Sequence, residues 1–158
     1  AGGALTTGAG VISALRSAVT ALDESEVPYE DRYLFITPTL DGLIADLDTT
    51  KSREVMDRFQ AKVLVPQTRF YTAITQLDGT TSGEEAGGYA KADTGKNINF
   101  IVIHRDAVIQ FSKHVAPKII LPDVNQSTDG YKFGYRHVAI ADVYENKVAG
   151  IYLHYATA

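Results

Sequence analysis

The sequence predicts an α+β fold in which a mixed central sheet is flanked by helices. Three observations support this prediction: an amphipathic helical stripe near the start, short apolar runs typical of strands throughout the chain, and a long polar stretch near the middle. Because helices and strands are intermixed along the chain, we expect them to surround one sheet. The 158 residues are enough to bury a sizeable core.

Composition limits the classes of function. The chain has 15 Lys and Arg against 19 Asp and Glu, so its net charge of −4 gives no overall attraction to nucleic acid or to an anionic membrane. No apolar run reaches the roughly 18 residues that span a bilayer. Cysteine is absent, which excludes disulfides, thiolate zinc sites and cysteine nucleophiles.

The first elements are a leader and a helix. Residues 1–10 are small and Gly-rich and are expected to be flexible, whereas residues 11–158 are expected to form a single domain. The run 23–26 ends the first helix, and Val27-Pro28 favours an extended exit. Apolar residues at helical spacing form the stripe of this helix: Val11, Ile12, Leu15, Ala18, Val19 and Leu22.

The segment 27–47 is the predicted packing centre. Its run 32–37 is aromatic and β-branched, which is typical of a buried strand. Pro38 closes this strand, and Thr39 is placed to cap a second helix. That helix would bury Leu40, Leu43, Ile44 and Leu47.

The middle of the chain predicts a short helix at 51–59 and strands at 63–65 and 70–74. Pro66 interrupts the two strands, so at least one is expected at a sheet edge. Residues 77–96 contain almost no apolar side chains and are rich in Gly, Thr and Asp. A loop of about twenty residues in a compact domain tends to be functional or mobile, and we expect it to project from the fold.

The last third begins with an apolar strand at 97–103. A helix at 104–115 is predicted to pack through Ala107, Val108, Phe111 and Val115. A short buried run at 119–121, a polar turn and a half-exposed strand at 131–136 follow. The runs 138–144 and 148–155 flank an Asn-Lys turn and are expected to form a closing β-hairpin.

No motif for catalysis or metal binding survives inspection. His104-Arg105-Asp106 matches part of a kinase catalytic loop, but Gln110 stands where that chemistry needs Asn, and no DFG follows. His104 and His114 would lie about 15 Å apart on one helix, too far for two ligands of one zinc. His137 and His154 have no predicted partner. The calcium-like run 123–130, the glycines before the first helix and Ser82-Gly83 lack the remaining residues of their motifs.

Three segments in order carry a family resemblance. They are VPYEDRYLFITPTLDGLI, NINFIVIHRDAVIQFSKHV and YRHVAIADVYENKVAGIYLHYA. Their order and spacing resemble the major capsid protein of tailed bacteriophages and prophages, whose shell fold is shared with encapsulins. The resemblance covers most of residues 11–155.

The resemblance implies a non-enzymatic structural subunit of an icosahedral bacteriophage capsid that encloses packaged DNA without binding it specifically. It implies self-association into hexamers and pentamers in the full-length protein, assembly in the bacterial cytoplasm, a place in the virion, and no cofactor or metal. We find no counterpart of the family's N-terminal arm, extended loop or spine helix, so the chain resembles a fragment: the axial domain plus closing strands. Candidate assembly contacts are Tyr89, Glu84, Glu85, Lys91 and Arg32.

Two other hypotheses remain open from the residues. One is a small-molecule-binding or enzymatic α+β domain with a pocket under loop 77–96. The other is an interaction module that docks a partner through exposed strand edges near Pro66.

Overall fold

The computed structural model describes residues 1–47 and 50–157, whose contacts divide into two compact units. We call Ala1–Ala107 with Asn146–Ala158 the sheet unit and Val108–Glu145 the ribbon unit. Helices and a mixed sheet are both present, so the predicted α+β class is confirmed. The assignment of residues 11–158 to a single domain stays a prediction.

The sheet unit is built on a four-stranded sheet with strand order β2-β1-β5-β8. Strand β1 runs parallel to β2 and antiparallel to β5, and β8 is antiparallel to β5. The unit's elements are α1 (Gly8–Glu24), β1 (Arg32–Ile36), α2 (Pro38–Ala45), α3 (Thr50–Met56), β2 (Ala61–Leu64), β3 (Ile74–Leu77), β4 (Gly88–Lys91), β5 (Ile98–His104) and β8 (Ile151–Tyr155).

Helix α1 buries the predicted apolar stripe against one face of this sheet. The helix is longer than predicted, because Thr7 caps it and accepts a hydrogen bond from Gly10 N at 3.2 Å. Gly8 lies so close to α2 that an added Cβ would overlap the carbonyl oxygen of Leu43. Residues 1–10 were expected to be flexible, but Gly8 permits the close packing of α1 on α2. Gly3 N also donates a hydrogen bond to Tyr155 O.

The segment 27–47 is confirmed as strand, proline and helix, with one shift at the helix start. Helix α2 begins at Pro38, so Thr37 rather than Thr39 occupies the cap position. Leu34 and Ile36 on β1 are fully buried with Leu40 and Ile44 in the core cluster. A proline at the first helical position leaves no unpaired backbone donor there, which explains the abrupt change from strand to helix.

Strand β2 lies at the edge of the sheet, as predicted for a strand next to Pro66. The neighbouring prediction of a strand at 70–74 is wrong in its bounds, since β3 begins only at Ile74. Strand β4 pairs with β3 in a separate two-stranded sheet, so the predicted loop 77–96 contains a strand and its open part is 78–87. No helix in the described residues is long and apolar enough to cross a membrane.

The ribbon unit consists of two long antiparallel strands, β6 (Val108–Ile120) and β7 (Lys132–Val143). The helix predicted at 104–115 is therefore wrong. The pairing shifts register between Ser112 and His114, which marks a bulge at Lys113. After a bulge, the side chains that would have pointed to one face of the strand point to the other. Val108 and Val115 therefore share a face although they are seven residues apart, a spacing that in a regular strand would place them on opposite faces and that is typical of a helix.

The predicted closing hairpin of 138–144 with 148–155 is also wrong. Strand β7 pairs with β6, whereas β8 pairs with β5 in the sheet unit. A 3₁₀ helix, Glu145–Gly150, replaces the expected tight turn. The run predicted as buried at 119–121 covers the last two residues of β6 and the residue after it, and its side chains Ile119 and Leu121 are exposed.

Candidate assembly surfaces

The two-stranded sheet of β3 and β4 presents an exposed mixed surface. In its register Gln76 pairs with Tyr89, and Ile74 pairs with Lys91. Residues two apart on a strand share a face, so these four side chains lie together, and we call them the β3–β4 face. Ile74 is 56% exposed and Tyr89 is 43% exposed. Two of the predicted contacts, Tyr89 and Lys91, therefore share one patch, and Ile74 is a member that the sequence alone did not identify.

The 78–87 connection is organised by its own side chains. Asp78 accepts hydrogen bonds from Thr80 N and Thr81 N, each at 2.7 Å, and from the Thr81 hydroxyl at 2.6 Å. The Thr81 contacts, followed by that of Thr80 N, hold the pKa of Asp78 far below its usual range. Four glycines with positive φ (Gly79, Gly83, Gly87 and Gly88) permit the turns. The connection therefore supports β3 and β4 with local structure.

Glu84 and Glu85 belong to this internal network. Glu84 Oε2 accepts from Asp78 N at 3.2 Å, and Glu85 Oε1 accepts from Gly83 N at 3.0 Å. The bond from Gly83 N is the main reason that the pKa of the Glu85 carboxyl is lowered. Both carboxylates thus bind backbone of their own loop, and their place as assembly contacts stays a prediction.

Arg32 has a different position from the other candidates, because its side chain is only 1% exposed. Its Nε donates to Pro28 O at 2.8 Å, its Nη2 donates to Val27 O, and Nη2 also lies 2.7 Å from Asp23 Oδ1. These contacts hold the turn between α1 and β1, where Glu26 adopts a φ of 55° that non-glycine residues seldom take. The geometry assigns Arg32 a structural role within the unit.

The ribbon has two chemically different faces. The first, which we call the aromatic face, carries no Lys, Arg, Asp or Glu, and its Phe133 is 74% exposed. The second, which we call the basic face, carries Lys118, Lys132 and Arg136 in the half next to the connecting turn and the apolar Ile109, Phe111 and Ile140 in the other half. The aromatic face consists of Val108, Gln110, Ser112, Val115, Pro117, Ile119, Phe133, Tyr135, His137, Ala139, Ala141 and Val143.

An isolated two-stranded ribbon is at best marginally stable in water. The aromatic face adds contiguous exposed apolar surface, which in soluble proteins marks a contact with another surface. Among the described residues, the one hydrogen bond of an aromatic-face ring joins His137 Nε2 to Ser112 Oγ at 3.0 Å. The face is therefore suited to being covered by protein.

The histidines do not converge on a site. His104 ends β5, His114 and His137 lie on opposite faces of the ribbon, and His154 lies on β8. Since residues 104–115 are not helical, the 15 Å helical spacing argued from the sequence does not apply. Within residues 1–47 and 50–157, no cluster of three or more His, Asp or Glu could hold a metal.

A cavity of about 280 Å³ lies in the sheet unit, between the end of α1 and the segments that follow β5 and precede β8. Its lining includes Glu26, His104, Asp106 and Lys147, and Lys147 Nζ lies 4.0 Å from Asp106 Oδ2. None of its lining residues belongs to 77–96, where the small-molecule hypothesis expected a pocket. His104 Nδ1 accepts a 3.4 Å contact from Asp106 N, so that ring nitrogen is turned toward backbone.

Comparison with known proteins rests on structure. No protein-family model matches the chain, and no curated protein matches its sequence significantly. Among solved structures, the chain is similar to the capsid structure of the cyanophage P-SCSP1u, with a TM-score of 0.60 and 18% sequence identity. The similarity covers 96% of this chain and 47% of that chain, so this chain spans about half the length of the protein it matches. The chain thus has the α+β fold found in that phage capsid structure.

Proposed function

We propose that the chain is part of a bacteriophage major capsid protein, a non-enzymatic subunit that associates with copies of itself to form an icosahedral shell around DNA. The observation that carries the proposal is the fold similarity to a cyanophage capsid structure over 96% of the chain. In this proposal the protein belongs to the virion, needs no cofactor, and corresponds to the axial domain with closing strands.

Two surfaces of the sheet unit support a role in assembly. The β3–β4 face exposes an isoleucine and a tyrosine beside Lys91. Tyrosine is favoured in protein interfaces because it offers apolar area and a polar tip at low entropic cost. The β2 edge is a further unpaired strand edge in the four-stranded sheet. The proposed assembly contacts are Tyr89 and Lys91 with Ile74, together with Glu84 and Glu85, whose hydrogen bonds also hold the loop in shape.

The proposal is tested by expressing the complete reading frame that encodes this chain and looking for closed shells by electron microscopy. Shells are the expected result. A protein that stays a soluble monomer under all assembly conditions would contradict the proposed function.

A paired variant tests the contact residues within that experiment. Tyr89→Ala with Lys91→Glu is expected to abolish shells and leave the circular dichroism spectrum unchanged. The matched control is Tyr29→Ala with Lys51→Glu, since Tyr29 is also exposed, at 71%. If both pairs assemble equally well, the β3–β4 face is not an assembly contact.

A further inference from the structure

The cations of the ribbon strands are gathered on one face. Lys118 on β6 pairs with Gly134 on β7, and Lys132 and Arg136 lie two residues to either side of Gly134. Strand residues two apart project from the same face, and directly paired residues do so as well. The three exposed cations therefore surround Gly134, within about 14 Å along the ribbon at roughly 3.4 Å per residue.

No carboxylate balances these cations on their half of the face. Asp142 is at the far end of the ribbon, where it accepts a hydrogen bond from Val143 N at 2.7 Å. Asp123 and Asp129 lie in the connecting turn, beyond the strand ends. Throughout the described residues, no ion pair joins Lys118, Lys132 or Arg136 to a carboxylate.

This segregation of charge is not what solubility alone requires. A solvated surface is normally covered with both signs interspersed. Lys118 lies diagonally across the strand pair from Lys132 and Arg136, within reach of these long side chains, so their like charges repel each other. Binding an anion would relieve this repulsion, so the arrangement favours an anionic partner.

Gly134 is a second and independent observation. Glycine in the interior of a strand weakens the strand, and it often marks a place where a ligand or another backbone approaches closely. The backbone does not need glycine there, because the glycines with positive φ are all elsewhere, in 79–88. An added Cβ would meet only Lys118, at an ordinary contact distance of 3.8 Å. The glycine therefore leaves an open notch whose rim carries the three cations.

We propose that this notch binds the phosphate backbone of duplex DNA, a step that rests on the proposed capsid function. The guanidinium of Arg136 can hold a phosphate through two parallel hydrogen bonds, and the two lysines supply point charges beside it. Contacts from lysine and arginine to phosphate oxygens carry no sequence information, so this binding is independent of sequence. The basic face of the ribbon is then the surface directed at packaged DNA, and the aromatic face is the one covered by protein.

The direct test is the affinity of the chain for a short labelled DNA duplex, measured by fluorescence anisotropy as salt is varied. Neutralising three phosphates predicts a slope of log K against log salt of about −2.7, or a loss of about 40-fold between about 50 and 200 mM salt. The triple variant Lys118→Gln, Lys132→Gln, Arg136→Gln is expected to lose at least about tenfold in affinity at low salt and most of the slope.

A matched triple variant in the sheet unit separates the site from net charge. Arg16→Gln, Lys51→Gln and Arg58→Gln remove the same charge from exposed helix and turn positions and are expected to leave affinity and slope unchanged. An equal loss in both triples would overturn the proposal. Polyphosphate is expected to displace the duplex and poly-glutamate is not; equal displacement by poly-glutamate would assign the face to an acidic protein instead.

Gly134→Val tests the notch without changing charge. The variant is expected to keep its circular dichroism spectrum and to weaken DNA binding, and unchanged binding would overturn the role of Gly134. Shell formation without DNA binding would refute this inference alone. DNA binding by a chain whose complete protein forms no shells would refute the proposed function alone.

Discussion

The sheet unit and the ribbon unit bury their side chains to very different extents. Helix α1 and strands β1 and β5 supply a continuous core whose members are almost all below 9% exposed. In Val108–Glu145, all of which is described, no residue is buried. The first unit therefore has a core that can stabilise it by itself, whereas the second has no buried core of its own.

A long regular strand pairing in this chain therefore does not by itself imply a buried, stable unit. The β6–β7 pairing is longer than any in the four-stranded sheet, and its backbone hydrogen bonds are regular on both sides of the bulge. Hydrogen bonds contribute little net stability without burial, because water competes for the same groups. Substituting the same type of residue in each unit and measuring the change in the free energy of unfolding can therefore test this difference in burial.

The largest expected effect comes from one aromatic residue in each unit. Phe100 is 0% exposed, and it stacks on His154 with ring centroids 5.1 Å apart. Phe100→Ala is expected to lower the free energy of unfolding by about 3–5 kcal/mol in urea titrations. Phe133→Ala, at an exposed ribbon position, is expected to change it by less than about 0.5 kcal/mol. A similar loss for both would mean that the ribbon is already covered.

Two arginines give the next test. Arg32→Met removes the buried donor to the carbonyls of Val27 and Pro28 and the ion-pair partner of Asp23, so a loss of about 3 kcal/mol is expected. Arg136→Met on the basic face should stay within about 0.5 kcal/mol. If Arg32→Met unfolds at the same urea concentration as the parent chain, the structural role assigned to Arg32 is wrong.

Substituting one glycine in each unit is expected to change the stability of the chain in different directions. Gly8→Ala would force α1 away from α2, so it is expected to destabilise the chain by about 1–3 kcal/mol. Gly134→Ala has room for its methyl group, and it is expected to leave stability unchanged or to raise it by up to about 1 kcal/mol. Thermal unfolding followed by circular dichroism measures both, and a stabilising Gly8→Ala would contradict the close helix contact.

The smallest expected effect is a pH dependence located in the sheet unit. Burial lowers the pKa of His154 below its usual 6.5, and the nearby amino terminus adds to this. Its Nδ1 faces the amide Nδ2 of Asn99 at 3.0 Å, and that amide also donates to Gly3 O at 3.0 Å. Both amide hydrogens are thus used, so the neutral ring is the form that accepts one of them.

The sign of the effect follows from the lowered pKa. Between pH 6.5 and the lower pKa of the folded state, the unfolded chain binds more protons, so stability falls as pH falls through that window. Above pH 6.5 this residue contributes no pH dependence. We expect the stability difference between the parent chain and His154→Gln to narrow from pH 7 toward pH 5 in urea titrations. A constant difference would contradict a neutral buried ring.

The sequence predicts elements well where burial is one-sided and regular. The stripe from Val11 to Leu22 keeps a strict helical period because only one side of α1 faces the sheet. Strand β1 is recognisable because neither of its faces is exposed: its residues alternate between buried and half-buried. All but one of them are therefore apolar or aromatic.

The prediction of a helix where β6 lies is wrong for a physical reason. Both faces of β6 carry apolar side chains, and the bulge at Lys113 changes the phase of this strand, so β6 shows no continuous period of two. In β7, by contrast, residues 131–136 alternate, and the sequence predicts that strand. The partner of β8 depends on long-range pairing with β5, which no local pattern encodes. The candidate surface was predictable in part: Tyr89 and Lys91 were named from composition, but Ile74 joins them only through the register of β3 and β4.

The position of β8 also has a kinetic consequence. Strand β5 has β1 on one side, and its other neighbour arrives only after the entire ribbon has been synthesised. Contacts between distant positions form slowly because closing a long loop costs entropy. Until Ile151–Tyr155 leave the ribosome, one edge of β5 stays open to pairing with other chains. Shortening the ribbon to a tight turn should therefore speed folding of the sheet unit.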